Sequence, residues 1–290
     1  DNYVNPLEMD VWSLDPNDSK GMIREKGEFM LGLCEQCIGD SLNSRQKSII
    51  DRCVALVYED YQNGGKLPTL CVLREKLLEQ PEKEADNLAL EMELFTDGSL
   101  NAFAHKTNVD TNNRMIVYDI MDLGKQLKTM GLLVITDAMI NRVTDNWKKG
   151  IRTHVFIDEF HVVFENEYSA SFFNSAWRQF RKRDGYPTGI TQNVEYLLAS
   201  VTASTMLSNS EFIVMLNQAS QDRQKLAKLL SISDEQMSYI TNADAGCGLI
   251  KYGSSLVPFI NQFPKDTKLY QLMTTKPTDR QNSMKGKQYE

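Results

Sequence analysis

Two carboxylates set side by side at the end of an apolar run have the clearest chemical potential in this sequence. His154-Val155-Phe156-Ile157 reads as a strand, and Asp158-Glu159 follow it at once. Open α/β sheets bind ligands outside the carboxyl ends of their strands. A carboxylate there can hold the water shell of Mg²⁺, and the next can polarise a water for attack on a phosphoryl group. One strand–helix unit later, a strand predicted over Thr188–Gln192 ends in an amide that can touch a γ-phosphate or the attacking water. Each feature also has a plainer reading. The acidic pair can be a strand entering solvent, and Asn193 suits the cap of a helix starting at Val194.

Trp177-Arg178-Gln179-Phe180-Arg181-Lys182-Arg183 forms a basic helix end. Exposed arginines can complete a neighbouring subunit's site by stabilising transition-state charge, and Arg181 is the best placed of the set. Cations also simply suit a helix C-terminus. Cys34-Glu35-Gln36-Cys37 has CxxC spacing, but His105, His154 and His161 supply no second pair of zinc ligands at a suitable interval. The two thiols read as small apolar residues on one helix face. His161, beside the acidic pair, reads as a structural or surface residue rather than a base.

These residues need a scaffold, and the apolar pattern supplies one. Between about Gly21 and Leu94 the spacing is helical, with Ile49, Ile50, Cys53, Leu56, Val57 and Tyr61 as one stripe. Asn63-Gly64-Gly65 ends that helix, Thr69 caps the next, and a third is predicted from Lys83 to Phe95. From there the pattern alternates. Strands are predicted at Met115–Ile120, Thr153–Ile157, Thr188–Gln192 and Glu211–Leu216. Helices are predicted at Gly124–Trp147, Ser169–Arg183, Val194–Ser208 and Gln221–Leu230. Ser233-Asp234-Glu235-Gln236 has capping-box spacing, and Gly246–Lys251 with Ser255–Ile260 reads as a hairpin about Gly253. Alternating strands and helices imply an α/β fold with a mainly parallel sheet covered on both faces.

Composition narrows the class further. The 290 residues are 41% hydrophobic and 24% charged, enough apolar content for a buried core, and the net charge of −7 argues against a broad nucleic-acid-binding face. Five scattered cysteines fit a reducing, cytosolic compartment. No apolar run reaches the roughly 18–20 residues needed to span a bilayer. The chain opens on Asp1, in mid-loop, and reads as a piece of something longer. It contains no G-x-x-x-x-G-K-[ST] phosphate loop; Gly64-Gly65-Lys66-Leu67 lacks the hydroxyl and ends a helix instead of opening one.

The order of motifs resembles the C-terminal ATPase domain of VirB-four-type conjugation and type IV secretion ATPases, within the HerA/FtsK-like branch of P-loop motors. The matching stretches are Asn5-Pro6-Leu7, Thr107-Asn108-Val109, Val117-Tyr118-Asp119-Ile120 and Phe156-Ile157-Asp158-Glu159-Phe160-His161. They continue with Trp177, Arg181-Lys182, Thr188-Gly189-Ile190-Thr191-Gln192-Asn193, Asn209-Ser210-Glu211-Phe212 and Leu216-Asn217-Gln218. Gly246, Gly248-Leu249-Ile250, Phe263-Pro264-Lys265-Asp266-Thr267 and Leu269-Tyr270 complete the series.

The resemblance implies a RecA-like core over 1–19 and 98–276, an all-helical insertion over 20–97, and a disordered tail over 277–290. Asp158 and Glu159 become the Walker B pair, with Asp158 holding Mg²⁺ through water, Gln192 the sensor and Arg181 the trans-acting cation. The cofactors are ATP and Mg²⁺, and the phosphate loop belongs to a segment before Asp1, leaving this piece inactive alone. The implied parent is a cytoplasmic ATPase, peripheral to the inner face of the cell membrane. It energises conjugative DNA transfer or type IV secretion as a hexamer among channel proteins. The alternatives are a non-catalytic assembly module and a DNA-translocating motor of the coupling type. The acidic charge counts against the latter, and the Arg181–Arg183 strip counts for it.

Overall fold

Helical periodicity in the first third of the chain is realised as five helices that bury their stripes in one core. The computed structural model describes residues 2–9, 16–111, 113–192, 194–218 and 220–274. The chain divides into two compact units, Asp1–Gln192 and Asn193–Glu290. In the first, α1 (Pro16–Ile38), α2 (Ser44–Gln62), α3 (Leu70–Leu78), α4 (Lys83–Glu91) and α5 (Glu93–Thr96) occupy the predicted helical block. The helix expected from Lys83 to Phe95 is broken at Met92, which ends α4 and precedes α5.

Local chemistry explains the helix limits. Asn43 accepts from the Arg45 and Gln46 amides while the Gln46 side chain accepts from the Asn43 amide, a reciprocal cap on α2. Gly64, at φ +88°, turns the chain out of α2, and the Gly65 amide returns to the Asp60 carbonyl at 2.8 Å. Thr69 caps α3 by accepting from the Val72 amide. On α2 the buried stripe is Ile49, Ile50, Cys53, Val54, Val57 and Tyr58.

A longer helix, α6 (Lys125–Lys148), contributes Leu127, Met130, Leu133 and Val134 to the same apolar cluster as Leu33, Ile50, Leu73 and Leu88. Each such leucine stabilises the fold by about 1.5–3 kcal/mol through burial. The segment Asn5-Pro6-Leu7 is pinned into this core by polar groups. Asn5 Nδ2 donates to the Pro68 carbonyl at 2.7 Å, Tyr58 Oη to the Leu7 carbonyl at 2.7 Å, and Lys26 Nζ to the Pro6 carbonyl at 3.0 Å. Leu7 is completely buried.

The strand expected at Met115–Ile120 is not formed. These residues are irregular, with no ladder partner among the described residues, and Met115 and Val117 are more than four-fifths exposed. An apolar run gives a strand only where another strand meets its amides and carbonyls.

After α6 come β1 (Thr153–Ile157), α7 (Glu167–Lys182) and β2 (Gly185–Gly189), with β1 and β2 parallel and Val155 opposite Pro187. Val155 packs with Val143 of α6 and Ala176 and Phe180 of α7, so these helices cover one face of the pair. Strand alternation sends Phe156 to the other face, where it is 68% exposed. His154 stacks on Tyr186 with ring centroids 5.1 Å apart. Strand β2 begins and ends three residues earlier than expected; Pro187, which looks like a breaker, is accommodated in a strand with a single partner.

The second unit contains α8 (Val194–Ala199), α9 (Val201–Ser208), β3 (Phe212–Met215), α10 (Ser220–Leu230), α11 (Asp234–Met237), β4 (Cys247–Tyr252), β5 (Ser255–Ile260) and α12 (Lys268–Met273). The single helix expected over Val194–Ser208 is split because Ser200 caps α9, accepting from the Ala203 amide. Ser233 and Gln236 form the expected capping box. Strands β3, β4 and β5 make an antiparallel sheet, so the parallel character of the fold rests on β1 and β2. Gly248 is required there, because a β-carbon would come within 2.1 Å of the Met215 carbonyl oxygen. Met215, Leu226, Leu230, Ile240 and Leu249 form the unit's core. Asn193 and the tail 277–290 lie outside the described residues. The α/β class, with a parallel pair and many helices, is as expected.

Candidate functional site

Strand β1 delivers its carboxylates at the end where ladder bonding continues one step beyond the strands. The Ile190 amide donates to the Ile157 carbonyl at 2.8 Å, and the Phe160 amide donates to the Ile190 carbonyl at 2.8 Å. The loop after β2, carrying Thr191 and Gln192, is thereby held alongside Asp158-Glu159.

Between those two hydrogen bonds the backbone makes a tight reversal. Glu159 sits at φ 48° and ψ 46°, the left-handed region. A side chain there costs roughly 1–2 kcal/mol relative to the right-handed form. The Asp158 carboxylate braces the turn by accepting from the Glu159 amide at 3.0 Å. Strained backbone of this kind persists where surroundings over-determine it.

Phe160 supplies the anchor. Its ring is 7% exposed and packs on Phe164, Phe173 and Trp177, with centroids 5.0, 5.6 and 5.5 Å away. It also lies on Gly189, where a β-carbon would meet Phe160 Cδ1 at 2.6 Å. Both acidic residues flanking this anchor are exposed. The arrangement presents two carboxylates to solvent from a backbone fixed by a ladder, a buried ring and a side-chain brace. Groups held in this way can bind a hydrated cation and orient a water without first ordering themselves.

Of the four residues singled out from sequence, Asp158 and Glu159 lie side by side here, and Gln192 lies on the adjoining loop, two residues past Ile190. Gln192 does not end a strand; it lies three residues past β2 in a bend. Arg181 is elsewhere. It is exposed at the last turn of α7, next to the start of β2. Gln192 lies beyond the other end of that strand, after about 13 Å of extended chain. Arg183, by contrast, is engaged locally, donating to Thr144 Oγ1 at 2.6 Å and Gln179 Oε1 at 2.9 Å. Cys34 is a core residue and Cys37 packs half-buried against that core; burial pushes the Cys37 thiol up to about 12 and raises Cys34 as well.

His161 is the site residue that sequence reasoning set aside. Its Nδ1 lies 3.3 Å from Glu159 Oε2 and 3.1 Å from Thr191 Oγ1. Its place two residues after Glu159 was the available signal, but the second partner comes from the next strand–helix unit and is invisible in local spacing.

Comparison with known proteins places these features in a family. The family described as the TraG P-loop domain matches residues 50–253. The structure of VirB4 of Thermoanaerobacter pseudethanolicus superposes with a TM-score of 0.73 at 18% identity, covering 91% of this chain and 75% of that one. No curated protein matches the chain. The shared fold and the family match bear out the resemblance read from the motifs. More than half of the residues fall within that family match, and the chain belongs to the TraG P-loop domain family.

Proposed function

We propose that this chain is the motor-domain portion of an ATPase that energises conjugative DNA transfer or type IV secretion. The observation that carries the reading is Glu159, held left-handed at the end of a parallel strand and tied through Phe160 to the loop bearing Gln192. Asp158 holds the water shell of Mg²⁺, Glu159 orients and polarises the attacking water, and Gln192 reads the γ-phosphate. The donor set fits such a cation. Asp158, exposed beside Glu159 at the end of β1, is a hard oxygen donor that would hold a hydrated Mg²⁺. When bound, Mg²⁺ neutralises charge building up on the phosphates.

No G-x-x-x-x-G-K-[ST] phosphate loop occurs among these 290 residues, so the residues proposed here supply the metal and water side of the site. Arg181, in the last turn of α7 at the other end of β2 from the Gln192 loop, serves the site of a neighbouring copy, and a hexamer is the proposed assembly. No helix among the described residues is long and apolar enough to cross a membrane. The proposed location is the cytoplasmic face of the membrane, against channel proteins. ATP turnover by the complete polypeptide containing this chain tests the reading. Wild-type turnover abolished by Glu159→Gln is expected. A complete polypeptide with no phosphate loop and no turnover would favour a non-catalytic assembly module.

A further inference from the structure

One imidazole nitrogen in this site faces two partners. His161 Nδ1 lies 3.3 Å from the Glu159 carboxylate and 3.1 Å from the Thr191 hydroxyl, and the His161 side chain is only 12% exposed. With the proton on Nδ1, the N–H dipole lies 3.3 Å from Glu159 Oε2 and restrains that carboxylate electrostatically. With the proton on Nε2, Nδ1 becomes an acceptor and takes the Thr191 O–H instead, which leaves Glu159 unrestrained. Thr191 adjoins Gln192, and its loop is locked to the acidic turn through Ile190. A shift of the Thr191 side chain therefore reaches the Glu159 carboxylate through this ring, beside the backbone bonds at Ile190.

We infer that His161 is a positioning residue that couples the Gln192 loop to the orientation of Glu159. The inference rests on the proposed role of Glu159 and goes beyond it by naming what aims that carboxylate. The ring is well suited to the task. Its backbone follows Phe160, whose side chain is buried among three aromatic rings, so its root moves little. Glu159, by contrast, is 49% exposed, and its carboxylate lies 3.3 Å from the sheltered imidazole. The same geometry gives the sensor loop a means of acting: moving Thr191 toward or away from Nδ1 changes which partner the ring serves.

The test uses ATP turnover by the complete polypeptide, with Glu159→Gln, His161→Ala, His161→Asn and Thr191→Val variants. Loss of the ring should lower kcat about tenfold to a hundredfold, the usual effect of removing a group that orients a functional ligand. KM for ATP should stay within about twofold, because ground-state binding is not what the ring supports. His161→Asn keeps a donor close to the Nδ1 position and should recover most of kcat. Thr191→Val should add little to His161→Ala, since both cut the same link. Unchanged kcat in His161→Ala, or equal losses in the Ala and Asn variants with a matching fall in urea midpoint, would overturn the coupling. Full turnover in Glu159→Gln would instead remove the underlying assignment of the base, a result distinct from any His161 outcome.

Discussion

The Phe160 ring lies against the backbone of Gly189 so closely that a β-carbon there would come within 2.6 Å of Cδ1 and 2.7 Å of Cγ. This contact joins the turn carrying Glu159 to the end of β2, and the hydrogen bond from Phe160 to Ile190 runs alongside it. Gly189→Ala must push the ring outward. Overpacking of this kind costs about 1–3 kcal/mol, and the displaced ring carries Glu159 with it. The unfolding free energy from urea titration should fall by that amount, and turnover of the complete polypeptide should fall further than stability accounts for. A variant with wild-type midpoint and turnover would mean the ring has room to move.

A second prediction concerns the anchor of the N-terminal segment. Lys26 is buried, with Asp137 Oδ2 at 2.6 Å and the Phe29 ring centroid at 5.0 Å. Among the described residues, Asp137→Ala leaves the buried ammonium with the Pro6 carbonyl and the Phe29 ring but no counter-charge. Removing one member of a buried ion pair costs about 3–5 kcal/mol, whereas replacing both with apolar groups is often neutral. Asp137→Ala should therefore unfold at much lower urea, and Lys26→Met with Asp137→Leu should recover most of the loss. Hydrogen exchange at residues 3–7 should quicken in the single variant and slow again in the double. Equal defects in both would place the stabilisation elsewhere.

How much of this was legible in the sequence depended on whether a signal was local. Ser233 with Gln236, Thr69 and the Thr153–Ile157 strand were found because capping and short apolar runs are written in adjacent residues. Met115–Ile120 misled because apolar content cannot report whether a partner strand is present. Ser200 divided a predicted helix because its hydroxyl competes as a cap, which propensity over the whole window conceals. At the site, Asp158 and Glu159 were readable from their place after β1. Gln192 was misplaced as a strand end because Pro187 hid the true limits of β2. His161 was passed over because its meaning lies in Thr191, thirty residues away in sequence and 3.1 Å away in space.

The buried thiols yield a prediction about pH. Burial raises Cys34 and takes Cys37 to about 12, while an unfolded thiol titrates near 8.5. A group whose folded pKa is raised contributes stability fully below its unfolded pKa and loses it as pH climbs through the folded value. The contribution of these two thiols to stability should thus be constant below about pH 8 and decline from about pH 8.5 to 12. Cys34→Ala with Cys37→Ala should make the alkaline decline shallower, with buried Cys53 and Tyr58 accounting for part of what remains, at the expense of a lower plateau from lost packing. At pH 8 a disulfide reagent should modify neither residue until denaturant is added. Rapid labelling of the native chain at Cys37 would show that the α1 core opens.

The left-handed conformation of Glu159 separates stability from function at one position. Glutamate there bears roughly 1–2 kcal/mol of conformational penalty that glycine does not. Glycine brings its own cost, about 0.5–1 kcal/mol of extra unfolded-state freedom. The lost contact to His161 is half-exposed and worth little. The terms nearly cancel with a small surplus, so Glu159→Gly should match or slightly exceed wild-type stability in urea while abolishing ATP turnover of the complete polypeptide. Glu159→Val should lose turnover too, but its β-branched side chain is worse in this region and its midpoint should fall below both. The ordering Gly, then Glu, then Val in urea midpoint is specific to a strained turn. If glycine were the least stable of the three, the turn would be held by the carboxylate's own contacts, and strain would play no part in presenting it.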